Sequence, residues 1–271
     1  MKNTKSCPNC TTLLIDTQIH CHICEWSSIP QTNVHIVNAL PIFLPMSGGN
    51  FMMGSSTDEV GRDPDEKEHP RTIDAFWIAN VEVTQQLYVS VTKHNPSIDK
   101  HPLKPISSVT WWEAILFCNQ LSRSLGYDVV YDDLDTGIPV AHHHRNGFRL
   151  PTEAEWEWMA KHQKPEIPPH QAKTDWSTRP TRPQSSQLQW VLGNVWEMCW
   201  DLYTPYPNDP NLFLESIPPM ARIVRGGSWV DSADIFRPAN RAFVDPNNRT
   251  DTIGFRLARS SPIGLHSINR I

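Results

Sequence analysis

Apolar residues recur with helical spacing in three stretches of the chain. In the longest they fall at Trp111, Ala114, Ile115, Cys118, Leu121 and Leu125, one stripe of an amphipathic helix. Thr110 and Glu113 frame its start as a capping box, in which hydroxyl and carboxylate satisfy each other's free backbone N–H groups. Gly126 stands where the helix can end. A second capping box, Thr152-Glu153-Ala154-Glu155, follows Pro151 and opens a helix with Trp156 and Met159 on one face. A third start is Thr84, before Gln85-Gln86-Leu87-Tyr88. Between glycines, Gly48 to Gly54 reads as a turn, a short strand and a turn. Residues 55–71 are polar and acidic and predict a loop. Ala75-Phe76-Trp77-Ile78 predicts a buried strand. Beyond residue 165 helical periodicity is lost. Short apolar runs are broken by Pro, Gly and Asn, and residues 164–183 predict a long loop.

Composition sharpens this picture. Among 271 residues, 24 prolines and 11 tryptophans favour a loop-rich fold over a helical bundle or a doubly wound sheet. The net charge is -5 and no basic run tracks a phosphate backbone, so no nucleic-acid partner is expected. The two lysines in residues 1–6 are not followed by an apolar segment, which argues against a signal peptide. No stretch approaches the roughly 18 apolar residues that span a bilayer. The expected compartment is the cytoplasm, where thiols stay reduced.

Four of the six cysteines lie in the first 24 residues, as Cys7-Pro-Asn-Cys10 and Cys21-His-Ile-Cys24. Two such turns, each aiming two thiolates at one point, predict a tetrahedral structural Zn²⁺ site. A redox motif would need one pair and not two. His20 and His22 flank Cys21 as bystanders. A closed four-thiolate site has no open coordination position, so the ribbon is read as structural, and it offers a place for a protein partner to dock.

Six ordered strings carry a family resemblance: Glu82-Val83-Thr84-Gln85; Pro105-Ile106-Ser107-Ser108-Val109-Thr110-Trp111-Trp112-Glu113; Gly147-Phe148-Arg149-Leu150-Pro151-Thr152-Glu153-Ala154-Glu155-Trp156-Glu157; Gly193-Asn194-Val195-Trp196-Glu197; Arg225-Gly226-Gly227-Ser228-Trp229; and Gly254-Phe255-Arg256-Leu257. Over residues 45–259 the chain resembles the formylglycine-generating-enzyme, or sulfatase-modifying-factor, family. The resemblance implies an α+β, C-type-lectin-like fold with much irregular chain. It makes Arg149, Arg222, Arg225, Arg237, Arg241 and Arg256 framework residues, some paired with acids such as Glu153 or Glu157.

The family's aerobic oxidases use two cysteines after the Gly-Gly-Ser-aromatic motif, with copper between their sulfurs. Here no cysteine stands between Trp200 and Ile271, and thiolate chemistry needs a sulfur. Cys118 lies on an apolar helix face and Cys199 stands far upstream of that site, so neither is read as catalytic. His142-His143-His144 reads as a solvated loop, because neighbouring side chains diverge along an extended chain. Some relatives bind calcium at positions matching Gly193, Val195 and Glu197. The Asn expected three residues before the glycine is Trp190 here, and calcium is left out of the expected cofactors.

The segment 230–253 resembles the variable region of proteins targeted by diversity-generating retroelements. There, adenine mutagenesis turns AAC codons into NNC codons, which cannot encode Met, Trp, Gln, Lys or Glu. These five types account for 49 of 271 residues, so 24 residues should hold about four by composition; the segment holds none. The candidate ligand-binding residues are Val230, Asp231, Ser232, Ala233, Asp234, Phe236, Ala242, Phe243, Val244, Asp245, Asn247, Asn248, Thr250, Asp251 and Thr252. They alternate with Arg237, Ala239, Asn240, Arg241, Pro246, Arg249 and Gly254, and are expected to share one exposed face with Phe236 and Phe243 as aromatic anchors.

The expected organisation is a zinc ribbon over 1–28, a linker over 29–40, the α+β domain over 41–262 and a tail over 263–271. The expected function is non-catalytic binding of a protein or other macromolecular ligand at the C-terminal face. Two alternatives stay open: a divergent oxidoreductase of the family, and a regulatory domain docking partners through the ribbon.

Overall fold

The computed structural model describes residues 33–162, 178–206 and 217–261, together with the backbone of two short strands near the N-terminus. Those strands, β1 (Thr4–Ser6) and β2 (Leu13–Ile15), pair antiparallel, with Ser6 opposite Leu13. Cys7 and Cys10 lie in the sequence between them. All four candidate zinc ligands, Cys7, Cys10, Cys21 and Cys24, fall outside the described residues.

In the stretch read as linker, α1 (Val34–Ala39) forms a short helix that buries Ile36 and Ala39 in the main core. The following elements are β3 (Phe43–Met46), β4 (Gly49–Met53), β5 (His69–Ile73), β6 (Phe76–Glu82), α2 (Gln85–Thr92), α3 (Trp111–Ser124), β7 (Tyr131–Asp132), β8 (Val140–Ala141), β9 (Phe148–Arg149) and α4 (Glu153–His162). Then come β10 (Trp196–Leu202), β11 (Arg222–Arg225), β12 (Arg241–Val244), β13 (Ile253–Gly254) and β14 (Arg256–Ser260). The predicted strand at residues 75–78 is the start of β6, which runs on to Glu82. The end of the predicted acidic loop is strand β5, paired with β4 from Gly49↔Ile73 to Met53↔His69.

The three predicted helix starts are capped as expected. Thr84 Oγ1 accepts from Leu87 N at 3.2 Å. Thr110 and Glu113 form the reciprocal capping box. Thr152 and Glu155 form the other: Glu155 N donates to Thr152 Oγ1 and Thr152 N to the Glu155 carboxylate. The entire predicted stripe of α3 is buried, and Phe117 joins it to stack on Tyr88 and meet Phe255 edge-on. Gly126, just past α3, sits at φ +74°, where a side chain would be strained.

Two four-stranded sheets organise the rest. One has the order β3-β6-β14-β9, with every pairing antiparallel. The other has the order β12-β11-β10-β13, antiparallel except for the β10–β13 pair, and among the described residues β12 is an edge strand. A larger core gathers α1, α2 and α3 with Phe148, Phe255 and Leu257. A second core packs Trp156 and Met159 of α4 on Phe76, Ile78, Ile223 and Ala258.

Candidate functional site

Buried ion pairs fasten the C-terminal third of the chain to the core. Arg149 is bidentate to Glu155 at 2.7 Å. Arg241 binds both oxygens of Glu153, at 2.8 and 3.0 Å. Arg225 pairs with Glu157. Arg256 holds Glu197 at 2.6 Å, and Trp156 Nε1 donates to the same carboxylate. Arg237, at the start of the fastened stretch, bridges Glu66 at 2.6 Å and Glu59 at 2.8 Å. Five of the six arginines singled out in the sequence thus meet carboxylates. Arg222 differs: among the described residues no acid lies within ion-pair distance of it, and its guanidinium stacks on Trp111 at 3.7 Å.

Between these anchors the candidate ligand-binding residues fall into three neighbourhoods. The first runs from Trp229 to Arg237. Val230 is exposed, and so are Ser232, Ala233 and Asp234 around a single 3-10 turn. Asp231 is committed locally, because its carboxylate accepts from Ser228 N at 2.8 Å and Ser228 Oγ at 2.7 Å. Phe236 is half-buried against Gly227, where an added Cβ would lie 2.8 Å from the ring. The acidic loop after β4 flanks this group. Burial, then Glu66 and Asp65, push the Asp63 carboxyl above its ordinary range.

The second neighbourhood is the edge strand β12. Phe243 is 42% exposed and lies 5.1 Å from the Tyr203 ring. Its neighbours point the other way: Ala242 is half-buried, and Val244 turns inward to the core at 6% exposure. For Val244 this departs from the exposed position expected, since strand alternation puts it on the face opposite Phe243.

The third neighbourhood crosses the N-terminus of α3. Asn247 and Asn248 are exposed, and Asp245 caps their turn by accepting from Asn247 N at 2.8 Å. Trp111 N donates to Pro246 O, Ser108 N to Thr250 O and Trp196 N to Thr252 O. Arg249 grips Glu113 at 2.6 Å, and the hydroxyls of Thr250 and Thr252 meet at 3.0 Å, with Asp251 half-buried between them. Sequence reasoning missed Tyr203, Glu59 and Glu66, which lie outside the segment yet shape its surroundings. The acid-rich run at 58–68 was the available signal.

The two cysteines among the described residues are not poised for chemistry. Cys118 and Cys199 are buried and free, and burial pushes both thiols up. At the positions matching the calcium pattern, both Glu197 oxygens are already taken by Arg256 and Trp156, so the residues present do not fit a calcium ion there. The described residues contain no group of three or more His, Cys, Asp or Glu able to hold a metal ion. No helix among them is long and apolar enough to cross a membrane.

Comparison with known proteins agrees with this frame. The family model of the sulfatase-modifying factor enzyme 1-like domain matches residues 33–190 and 169–261. The chain is 26% identical to the chaperone protein LppX of Paenibacillus barcinonensis, over 70% of this chain and 81% of that protein. It is 25% identical to inactive C-alpha-formylglycine-generating enzyme 2 of Mus musculus, over 82% and 86%. Among solved structures, Treponema denticola variable protein 1 superposes with a TM-score of 0.63 at 26% identity, covering 81% of this chain and 95% of that one.

Proposed function

We propose, for a chain that belongs to the sulfatase-modifying factor enzyme 1-like family, a non-catalytic role: binding a macromolecular ligand through the surface carried by residues 230–252. The carrying observation is how that segment is held. Arg225, Arg237, Arg241, Arg249 and Arg256 are each bound to carboxylates from elsewhere in the chain, while Val230, Ser232, Ala233, Asp234, Phe243, Asn247 and Asn248 are exposed. A rigid frame with free side chains between its anchors suits a surface whose chemistry can change without refolding. The similarity to a variable protein supports this reading. So does the stretch after Gly226-Gly227-Ser228-Trp229, where the resemblance puts the oxidases' two thiols: it holds no cysteine, and its Asp231 is engaged with Ser228.

The ribbon with Cys7, Cys10, Cys21 and Cys24 is proposed as a structural zinc module and docking point, joined to the domain through the segment before α1.

Sequencing the genomic locus tests the diversification part of the proposal. A downstream reverse transcriptase, and a near-copy of the codons for 230–253 that differs only at adenines, is the expected result. A locus without such a copy overturns it.

A further inference from the structure

We propose that the groove formed by α1, α2 and the loop after α2 is a second binding site, which takes an acidic, extended segment of a partner protein. It goes beyond the reading of residues 230–252, none of which lines the groove. The groove has a volume of about 490 Å³ and opens to solvent, a size suited to a ligand rather than to a single water. Its walls are fixed from within. Gln85, 2% exposed, donates from Nε2 to Asp99 O at 2.8 Å and to Pro105 O at 3.3 Å. Its Oε1 accepts from Asn95 Nδ2 at 2.9 Å and from His101 N at 3.0 Å. Gln86 N donates to Pro102 O at 2.9 Å. One buried amide thus sets the path of the loop, so the groove is formed before anything enters it.

The chemistry of the lining is one-sided. The ionisable residues that line it are His35, Lys100 and His101, all bases. Lys93, whose Nζ lies 3.3 Å from His35 Nε2, stands beside them. Lys93 and Lys100 each donate to a backbone carbonyl, Ser90 O at 2.7 Å and Asn95 O at 2.6 Å. These bonds position the ammonium groups without neutralising them. The one acid of the loop, Asp99, is paired with Lys104. On a chain of net charge -5 this is a local reversal of sign, and it favours carboxylates. The bases are divided between the two ends of α2. Lys100 and His101 belong to the loop bonded to Gln85 and Gln86, whereas His35 and Lys93 meet at Ser90 O. From Gln86 to Lys93 the helix runs about 10 Å, a span that an extended chain crosses in about three residues. Val89 and Pro102 supply an apolar lining. Two carboxylates flanking apolar side chains match this layout. Ile98 in the same loop is 74% exposed, and Val34 beside His35 is exposed too, apolar surface that a peptide can cover and a free anion cannot.

The test uses the full chain and a fluorescein-labelled peptide, Gly-Glu-Leu-Leu-Glu-Gly, read by fluorescence polarisation. The expected result is saturable binding that weakens as sodium chloride is added. The same peptide with both glutamates replaced by glutamine should not bind. Lys100→Glu turns an attraction into a repulsion at an exposed position and should weaken binding about tenfold. If that variant does not fold, Gln86→Glu, also exposed on the groove, gives the same reading. Phe243→Asp should bind the peptide like the wild type, which keeps failure here distinct from failure of the C-terminal surface. Absence of saturable binding, equal binding of the glutamine peptide, or wild-type affinity in the folded charge variant overturns the proposal. So does binding that Phe243→Asp abolishes, which would seat the peptide on the C-terminal face.

Discussion

Replacing Glu82 by glutamine should stabilise the protein above neutral pH and leave it nearly unchanged in acid. Glu82 is fully buried at the end of β6, and its carboxyl is raised to about 8 by burial, which outweighs the attraction of Arg256; Glu197 adds repulsion. Arg256 gives its short contacts to Glu197, so two buried carboxylates face one guanidinium. Glu82 Oε1 accepts from Asn194 Nδ2 at 2.9 Å, and among the described residues Oε2 makes no side-chain hydrogen bond.

An ordinary glutamate titrates near 4.5. Below that pH both folded and unfolded chains hold the proton, and Glu82 costs nothing. Between pH 4.5 and 8 the folded chain keeps a proton that the unfolded chain releases, so stability falls by about 1.4 kcal/mol per pH unit, on the order of 5 kcal/mol over the interval. Above pH 8 both forms are ionised and the loss is complete. Glutamine can still accept from Asn194 but cannot ionise, so E82Q escapes this loss. Urea unfolding, followed by tryptophan fluorescence at several pH values from 4.5 to 9, gives the difference between the two proteins, in which titrating groups that do not interact with Glu82 cancel. The curves should nearly coincide at the acid end and separate progressively with pH. Parallel curves, or a separation that shrinks as pH rises, would refute the argument.

Arg237→Ala strands the fully buried Glu66 carboxylate and should cost about 3 kcal/mol in urea unfolding; adding Glu66→Gln should recover part of the loss. A loss within about 0.5 kcal/mol would mean that the pair carries no weight. Phe243→Asp, on an exposed edge position, should change stability by no more than about 0.5 kcal/mol while abolishing capture of any ligand isolated against the wild-type surface. Metal analysis of the purified chain should give one zinc per molecule, lost in a Cys7→Ser, Cys10→Ser variant. Zinc retained by that variant would place the metal elsewhere.

What the sequence made legible follows the strength of the local chemistry. Thr110 with Glu113, and Thr152 with Glu155, announce helix starts because a capping box is satisfied within four residues. Helix α1 gave no such sign: Asn33 makes no side-chain cap and the helix is only six residues long. It is helical because Ile36 and Ala39 find a core supplied by distant parts of the chain. Strands of two residues, such as β7, β9 and β13, are too short for alternation to register. In β12 the alternation runs against polarity. Arg241 and Phe243 share one face, with the arginine buried on Glu153 and the phenylalanine exposed, while Val244 turns to the core. An apolar residue outside and a charged one inside can be read only once the partner glutamate, 88 residues away, is in view.

That inversion also bears on how the surface tolerates change. A loop held by apolar packing is sensitive to the size of every side chain it contributes. Residues 230–252 are held mainly by charge-assisted contacts of the flanking arginines, and their partners Glu59, Glu66, Glu113, Glu153 and Glu157 all lie in the N-terminal two thirds of the chain. Backbone bonds from Ser108, Trp111 and Trp196 to Thr250, Pro246 and Thr252 add fixings that do not depend on side-chain identity. Substitution at Ser232, Asp234, Phe243 or Asn247 therefore leaves the fixings intact, whereas substitution at Asp231 or Val244 does not: one ties the turn at Ser228, the other fills the core. Among the fifteen candidate positions, these two should accept the fewest replacements. A library varied at these fifteen positions and sorted for folded protein should show depletion there before anywhere else in the set, and uniform tolerance would mean that the Asp231 turn and the Val244 packing carry no weight.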